Sequence, residues 1–226
     1  NQMKFCRANG YNTILLYLEA SVRTSITAFF DEVSSYSLDE IAEIVNYGES
    51  IGLDVVPAFE TLAHMEKFFV YDNLANLAEF DDERTQGRDF CSPYYPHGSH
   101  GCATNPLLQR FTDSYVTEVC SVFHSKYVHM GMDEMFQFAC CDDCKRVIDS
   151  GVTKQQLFVD FVLHAHELVV AMGRTMLMWD DMLEYYPVCE LLPRDIVLCN
   201  WNYIFVGASP RGKWTGRSSA DPFALY

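Results

Sequence analysis

Basic side chains are scarce in this 226-residue chain: Lys and Arg number 16 against 31 Asp and Glu, a formal charge of −15. So acidic a surface repels nucleic-acid phosphates and anionic headgroups, which excludes nucleic acid and membrane surfaces as partners and favours neutral or cationic ligands. No apolar run reaches the roughly 18 residues that a membrane-spanning helix needs, since even residues 51–59 are broken by Gly52 and Asp54. Asn-x-Ser/Thr sequons are absent, and no Gly-rich phosphate fingerprint follows any strand-like segment, which removes the support for a nucleotide-binding fold. Residues 1–7 lack the apolar core of a secretory leader and read as the middle of a helix, so the chain is expected to begin inside a larger protein. Nine cysteines, an odd number scattered through apolar segments, do not form the framework of a small secreted scaffold, and a reduced, cytoplasmic compartment is expected. What is plentiful is apolar: 49% hydrophobic and 14% aromatic residues suffice for one sizeable core, so residues 1–226 are read as a single domain and disorder is excluded for its bulk.

Short β-branched and apolar runs at 12–18, 53–59, 127–132, 175–179 and 195–201 alternate with segments of helical period, the mark of parallel β/α architecture. Ser37 caps a helix carrying Ile41, Ile44, Val45 and Ile51 on one side, and Gly52 stops it. Two further helices are predicted over 107–123 and from Lys154 to Met172, while 64–80 is helical in pieces and 81–106 is a long inserted loop. Each strand ends in polar or aromatic residues. A (β/α)8 TIM-type barrel explains this, because its strands all deliver their carboxyl ends to one mouth, whereas a doubly wound sheet binds ligands only at its switch point. Five strands amount to part of such a barrel.

The sharpest local feature is His129-Met130-Gly131-Met132-Asp133-Glu134, two adjacent acids just after a buried strand. Alternate strand residues face opposite sides, so both acids can share a site only where the backbone bends. Two carboxyls held together repel, which raises the pKa of one into the range of a proton donor, the chemistry glycoside hydrolysis requires. Alone, the pattern fits a solvated acidic turn better than a catalytic pair.

The segment from His129 to Glu134 resembles the His-x-Gly-x-Asp-Glu end of the fourth barrel strand in family 20 glycoside hydrolases, the β-N-acetylhexosaminidases. Residues 12–15 are similar to that family's second strand, 56–64 to its Pro-Glu-x-Asp-x-Pro-Gly-His segment, Trp179-Asp180-Asp181 to the end of strand five and Asn200-Trp201 to the end of strand six. The resemblance spans about residues 10–205, so this chain would hold strands two to six. Glu60 stands where the pattern has Asp, Leu62-Ala63 where it has Pro-Gly and Met132 where it has Gly. No residue here is assigned to the family's first-strand Arg or its strand-seven acid and Tyr.

The resemblance implies an exo-acting enzyme that releases terminal N-acetylglucosamine or N-acetylgalactosamine, the sugar's own 2-acetamido carbonyl attacking the anomeric carbon. In that scheme Glu134 is the general acid and then the base, and Asp133 orients the acetamide. Trp179 and Trp201 wall the acetamide pocket, and His64 and His129 lie near the sugar or support the acidic pair. The partner is a carbohydrate, and the hydrolysis needs no cofactor.

Cys140-Cys141-Asp142-Asp143-Cys144 contains one Cys-x-x-Cys, and with Cys91, His97, His100 and Cys102 it could furnish four ligands to a structural zinc. One knuckle does not define a metal site, so no metal is assigned. The rival from another class is a non-catalytic glycan-binding or zinc-stabilised interaction domain on a barrel scaffold.

Overall fold

The computed structural model describes residues 2–79 and 97–201. Five parallel strands, β1 (Thr13–Tyr17), β2 (Asp54–Ala58), β3 (Tyr127–His129), β4 (Thr175–Trp179) and β5 (Val197–Cys199), lie side by side in chain order. A doubly wound sheet reverses its strand order at the switch point; this one never does, so each βα unit adds a strand on the same side, as in a barrel. The register runs from Tyr17 opposite Ala58 through Ala58 opposite His129 and His129 opposite Leu177 to Trp179 opposite Cys199, so the strand ends lie within two residues of one another. Among the described residues the sheet is an open arc with β1 and β5 at its edges, and Leu15, Tyr17 and Val197 on those edges are exposed.

The connections are helical: α1 (Gln2–Ala8) precedes β1, α2 (Leu38–Ser50) follows it, and the short α3 (Glu66–Phe69) and α4 (Asp72–Ala75) and the longer α5 (Pro106–Cys120) lie between β2 and β3. Helices α6 (Asp142–Asp149) and α7 (Lys154–Ala171) lead to β4. Local chemistry fixes their ends. Ser37 and Glu40 form a reciprocal capping box at α2, Asn105 caps α5 with Pro106 at its first position, and Thr153 caps α7, each supplying an acceptor for an otherwise unpaired N–H. Periodicity decides the buried faces. Ile41 and Val45 of α2, Leu108, Tyr115 and Val119 of α5, and Phe158, Val162 and Val169 of α7 pack on Val55, Val128 and Met176 of the strands. None of the helices among the described residues is long and apolar enough to cross a membrane.

The reading of one strand changes. The strand read over 127–132 stops at His129 because Gly131 and Met132 take positive φ angles of 72° and 75° and turn the chain. The loop expected at 81–106 falls outside the described residues as far as 96, as does Cys91. Its remainder packs back, with Gly101 bridged to Ala78.

Candidate active site

The carboxyl ends of all five strands contribute to one open cleft of about 330 Å³, lined by Tyr17, Glu60, His64, Asp133, Glu134, Trp179 and Trp201. Tyr17 ends β1, Glu60 and His64 follow β2, the acidic pair follows β3, Trp179 ends β4 and Trp201 follows β5. Five of the six residues singled out from sequence therefore meet here.

The turn after β3 decides this convergence. Gly131 sits at φ 72°, and a β-carbon there would lie 2.6 Å from the Phe59 carbonyl oxygen and 2.9 Å from the Glu60 carboxyl carbon. Only glycine combines that dihedral with that approach. The backbone then stays unusual: Met132, Glu134 and His64 are all left-handed, at φ 75°, 51° and 52°. Such conformations cost about 1–3 kcal/mol each and persist where surrounding contacts over-determine them. For Glu134 those contacts are explicit. Its N–H donates to Asp181 Oδ2 at 3.0 Å, and its carbonyl accepts from His100 Nε2 at 3.2 Å. Asp181 is almost fully buried, and its other oxygen accepts the Trp201 indole N–H at 3.2 Å. One carboxylate thus fixes both the backbone of the acid and the plane of the tryptophan.

His64 Nε2 lies 3.5 Å from Asp133 Oδ2 and 3.4 Å from Glu134 Oε2, bridging the pair. Its pKa is raised above the usual imidazole value, chiefly by the hydrogen bond to Asp133, against an opposing effect of burial. Burial pushes Glu60 up to about 10, with the charge of Asp133 adding to it, so at neutral pH Glu60 is protonated. The acid held neutral by its surroundings is Glu60, a residue the sequence marked only as a departure from a pattern.

His129 does not line the cleft. It is almost fully buried beneath Trp179, the ring centroids 4.4 Å apart, and its Nδ1 accepts the Gly131 N–H at 3.0 Å. Burial lowers its pKa to about 4, so it is neutral. The alternation of a parallel strand turns it inward, where it supports the turn and the indole instead of reaching a ligand. His100, also neutral with a pKa lowered to about 4 by burial, accepts from Ser99 Oγ at Nδ1 and so presents Nε2–H to Glu134.

Sequence reasoning therefore missed Tyr17, Glu60, His100 and Asp181. Asp181 carried a usable signal, since Trp179-Asp180-Asp181 repeats the pattern of acids following a buried strand. His100 carried none, because its partner is a backbone carbonyl 34 residues away in sequence.

The family model for glycosyl hydrolase family 20, catalytic domain, matches residues 15–210. Lacto-N-biosidase of Bifidobacterium bifidum is 24% identical over 197 residues, covering 84% of this chain and 16% of that protein. A β-hexosaminidase of Porphyromonas gingivalis is 26% identical over 156 residues, 66% of this chain and 19% of that one. The chain thus spans less than a fifth of the length of these two relatives. Among solved structures, the β-N-acetylhexosaminidase from Bacteroides fragilis superposes with a TM-score of 0.70 at 22% identity, over 89% of this chain and 42% of that one. The exo β-N-acetylglucosaminidase from Vibrio harveyi, in complex with N-acetylglucosamine, gives 0.70 at 17% identity, over 89% of this chain and 35% of that one. In fold, the five-stranded arc is part of a (β/α)8 TIM-type barrel.

Proposed function

This chain belongs to glycosyl hydrolase family 20, and from that premise we propose that the protein containing it is an exo-acting β-N-acetylhexosaminidase, with residues 1–226 forming part of a single catalytic domain. The observation that carries the reading is the placement of Asp133 and Glu134, bridged by His64, on a cleft walled by Trp179 and Trp201. The bound partner is the terminal N-acetylglucosamine or N-acetylgalactosamine of a glycan.

In the proposed reaction, the Glu134 carboxyl donates its proton to the glycosidic oxygen as the bond to the anomeric carbon breaks. The substrate's acetamido carbonyl oxygen closes on that carbon from the opposite face, forming a cyclic oxazolinium. Glu134, now ionised, removes a proton from the water that reopens the ring, so the configuration is retained and the enzyme carboxyl is regenerated. Asp133 faces the acetamide nitrogen, on which positive charge develops. The proton shared by the buried acids resides on Glu60, and Glu60 and His64 fix the orientation of Asp133. The two indoles hold the acetamide at the angle of attack and keep water from that face. His129 acts through Trp179.

The test is release of nitrophenol by the complete protein from the 4-nitrophenyl β-N-acetylglucosaminide and β-glucoside. Turnover of the acetamido sugar alone, reduced about 10²–10⁴-fold in Glu134→Gln, is the expected result. Failure of the folded, complete protein to cleave either substrate overturns the reading.

A further inference from the structure

Behind the cleft, four buried side chains converge: Glu79 beyond α4, Cys102, and Cys141 and Cys144 at the start of α6, with their ligand atoms all within 4.8 Å of one another. Cys102 Sγ stands 3.6 Å from Cys141 Sγ and 3.7 Å from Cys144 Sγ, and Glu79 Oε2 stands 3.5 Å from Cys144 Sγ. A tetrahedral zinc with Zn–S bonds near 2.3 Å and a Zn–O bond near 2.1 Å sets sulfurs about 3.8 Å apart and oxygen about 3.6 Å from sulfur. We propose that Glu79, Cys102, Cys141 and Cys144 form a structural zinc site.

The arrangement is built for a cation. Glu79 Oε1 accepts the backbone N–H of Cys140 and of Cys141, the latter at 2.6 Å, which leaves Oε2 facing the sulfurs. Cys141 caps α6, and its sulfur accepts the Cys144 N–H at 3.4 Å, the amide-to-sulfur geometry of a Cys-x-x-Cys knuckle. Thr104 Oγ1 lies 3.2 Å from Cys144 Sγ. A disulfide would use two of the three sulfurs and leave the third and Glu79 Oε2 outside it, whereas a divalent ion engages all four ligands. Four protein ligands close the shell, so the metal has a structural role. Of the ligands foreseen from sequence, Cys102, Cys141 and Cys144 take part. His97 and His100 do not, His100 being directed at Glu134. Glu79 replaces them.

The ion would pin three separate segments together. Cys102 lies two residues from His100, whose ring holds the Glu134 carbonyl, and Glu79 N–H donates to the His100 carbonyl at 2.7 Å. Loss of the metal therefore loosens the segment that fixes the back of Glu134. This inference does not depend on the proposed glycosidase activity and is tested by metal content and spectroscopy.

The complete protein, purified under reducing conditions, is expected to carry one zinc per chain by mass-spectrometric metal analysis. Exchange for cobalt is expected to produce the intense near-ultraviolet thiolate-to-cobalt charge transfer and the visible bands of a tetrahedral ion. Glu79→Gln keeps an acceptor for both backbone amides while removing the oxygen ligand, so it folds but binds cobalt about tenfold or more weakly. Cys140→Ser, outside the cluster, leaves binding unchanged. A wild-type protein that takes up neither zinc nor cobalt with its thiols reduced overturns the proposal, as does a Glu79→Gln variant with unaltered cobalt affinity and spectrum.

Discussion

Replacing Gly131 by Ala tests the turn that brings the acids together, and Gly173 supplies its control. Both glycines sit at φ 72°, but a β-carbon at Gly173 meets nothing within 4 Å, whereas at Gly131 it meets the Phe59 carbonyl oxygen at 2.6 Å as well as the Glu60 carboxyl. The Glu60 side chain can swing away. The Phe59 carbonyl is main chain, and the N–H of the same residue is bonded to the His129 carbonyl at 2.8 Å, so it can move only with the sheet. Gly173→Ala carries the dihedral cost alone, about 1–2 kcal/mol. Gly131→Ala adds overpacking of about 1–3 kcal/mol, for a total near 2–5 kcal/mol, a large share of the 5–15 kcal/mol stability usual for a domain. Urea unfolding of the complete protein and both variants, with slopes checked for two-state behaviour, measures the difference. Because the clash displaces Glu60 from Asp133, turnover should fall in Gly131→Ala and hold in Gly173→Ala. Equal destabilisation by the two substitutions refutes the close approach of the β3 turn to the end of β2.

Other perturbations address the rest of the site. Asp181→Ala removes the acceptor shared by the Glu134 N–H and the Trp201 indole. At about 1.5–3 kcal/mol for a charge-assisted bond, kcat on the nitrophenyl N-acetylglucosaminide should drop roughly 10- to 100-fold, and an unchanged kcat counts against the clamp. Glu60 ionises near 10 in the folded protein against an ordinary 4.5. The native state therefore binds more protons between those values, and stability is full below the lower pKa and declines as pH rises towards the upper one. Glu60→Gln should flatten that decline, so its stability relative to wild type improves steadily with pH; parallel stability curves from pH 5 to 9 contradict the assignment. His64 behaves similarly: its pKa is raised, so its ion pairs contribute most below its unfolded pKa and fade as pH climbs through the folded one. His64→Ala should accordingly destabilise more in mildly acidic than in alkaline solution, as thermal melts across that range would show.

The sequence by itself determined the local and periodic features. Ser37, Asn105 and Thr153 cap helices because a short polar side chain can satisfy the N–H groups just ahead of it wherever the chain goes. The 3.6-residue spacing of Leu108, Tyr115 and Val119 gives α5 one apolar face, and that face is the buried one. Strands ending in polar and aromatic residues indicated a barrel mouth, the acidic pair after β3 brought out Asp133 and Glu134, and the family resemblance brought out Trp179 and Trp201; all four reach the cleft. Tertiary structure alone decided which neighbours those residues meet. Whether His129 faces a ligand or the core depends on where β3 ends and on what covers it, and Gly131 and Trp179 turned it inward. Glu60 is neutral because folding buries it and the β3 turn then carries Asp133 to it, 73 positions along the chain. Glu79 meets Cys141 across 62 positions and Asp181 meets Glu134 across 47. Such contacts leave no periodic trace, because they are set by the register of adjacent strands and the paths of the loops between them, which no single segment encodes.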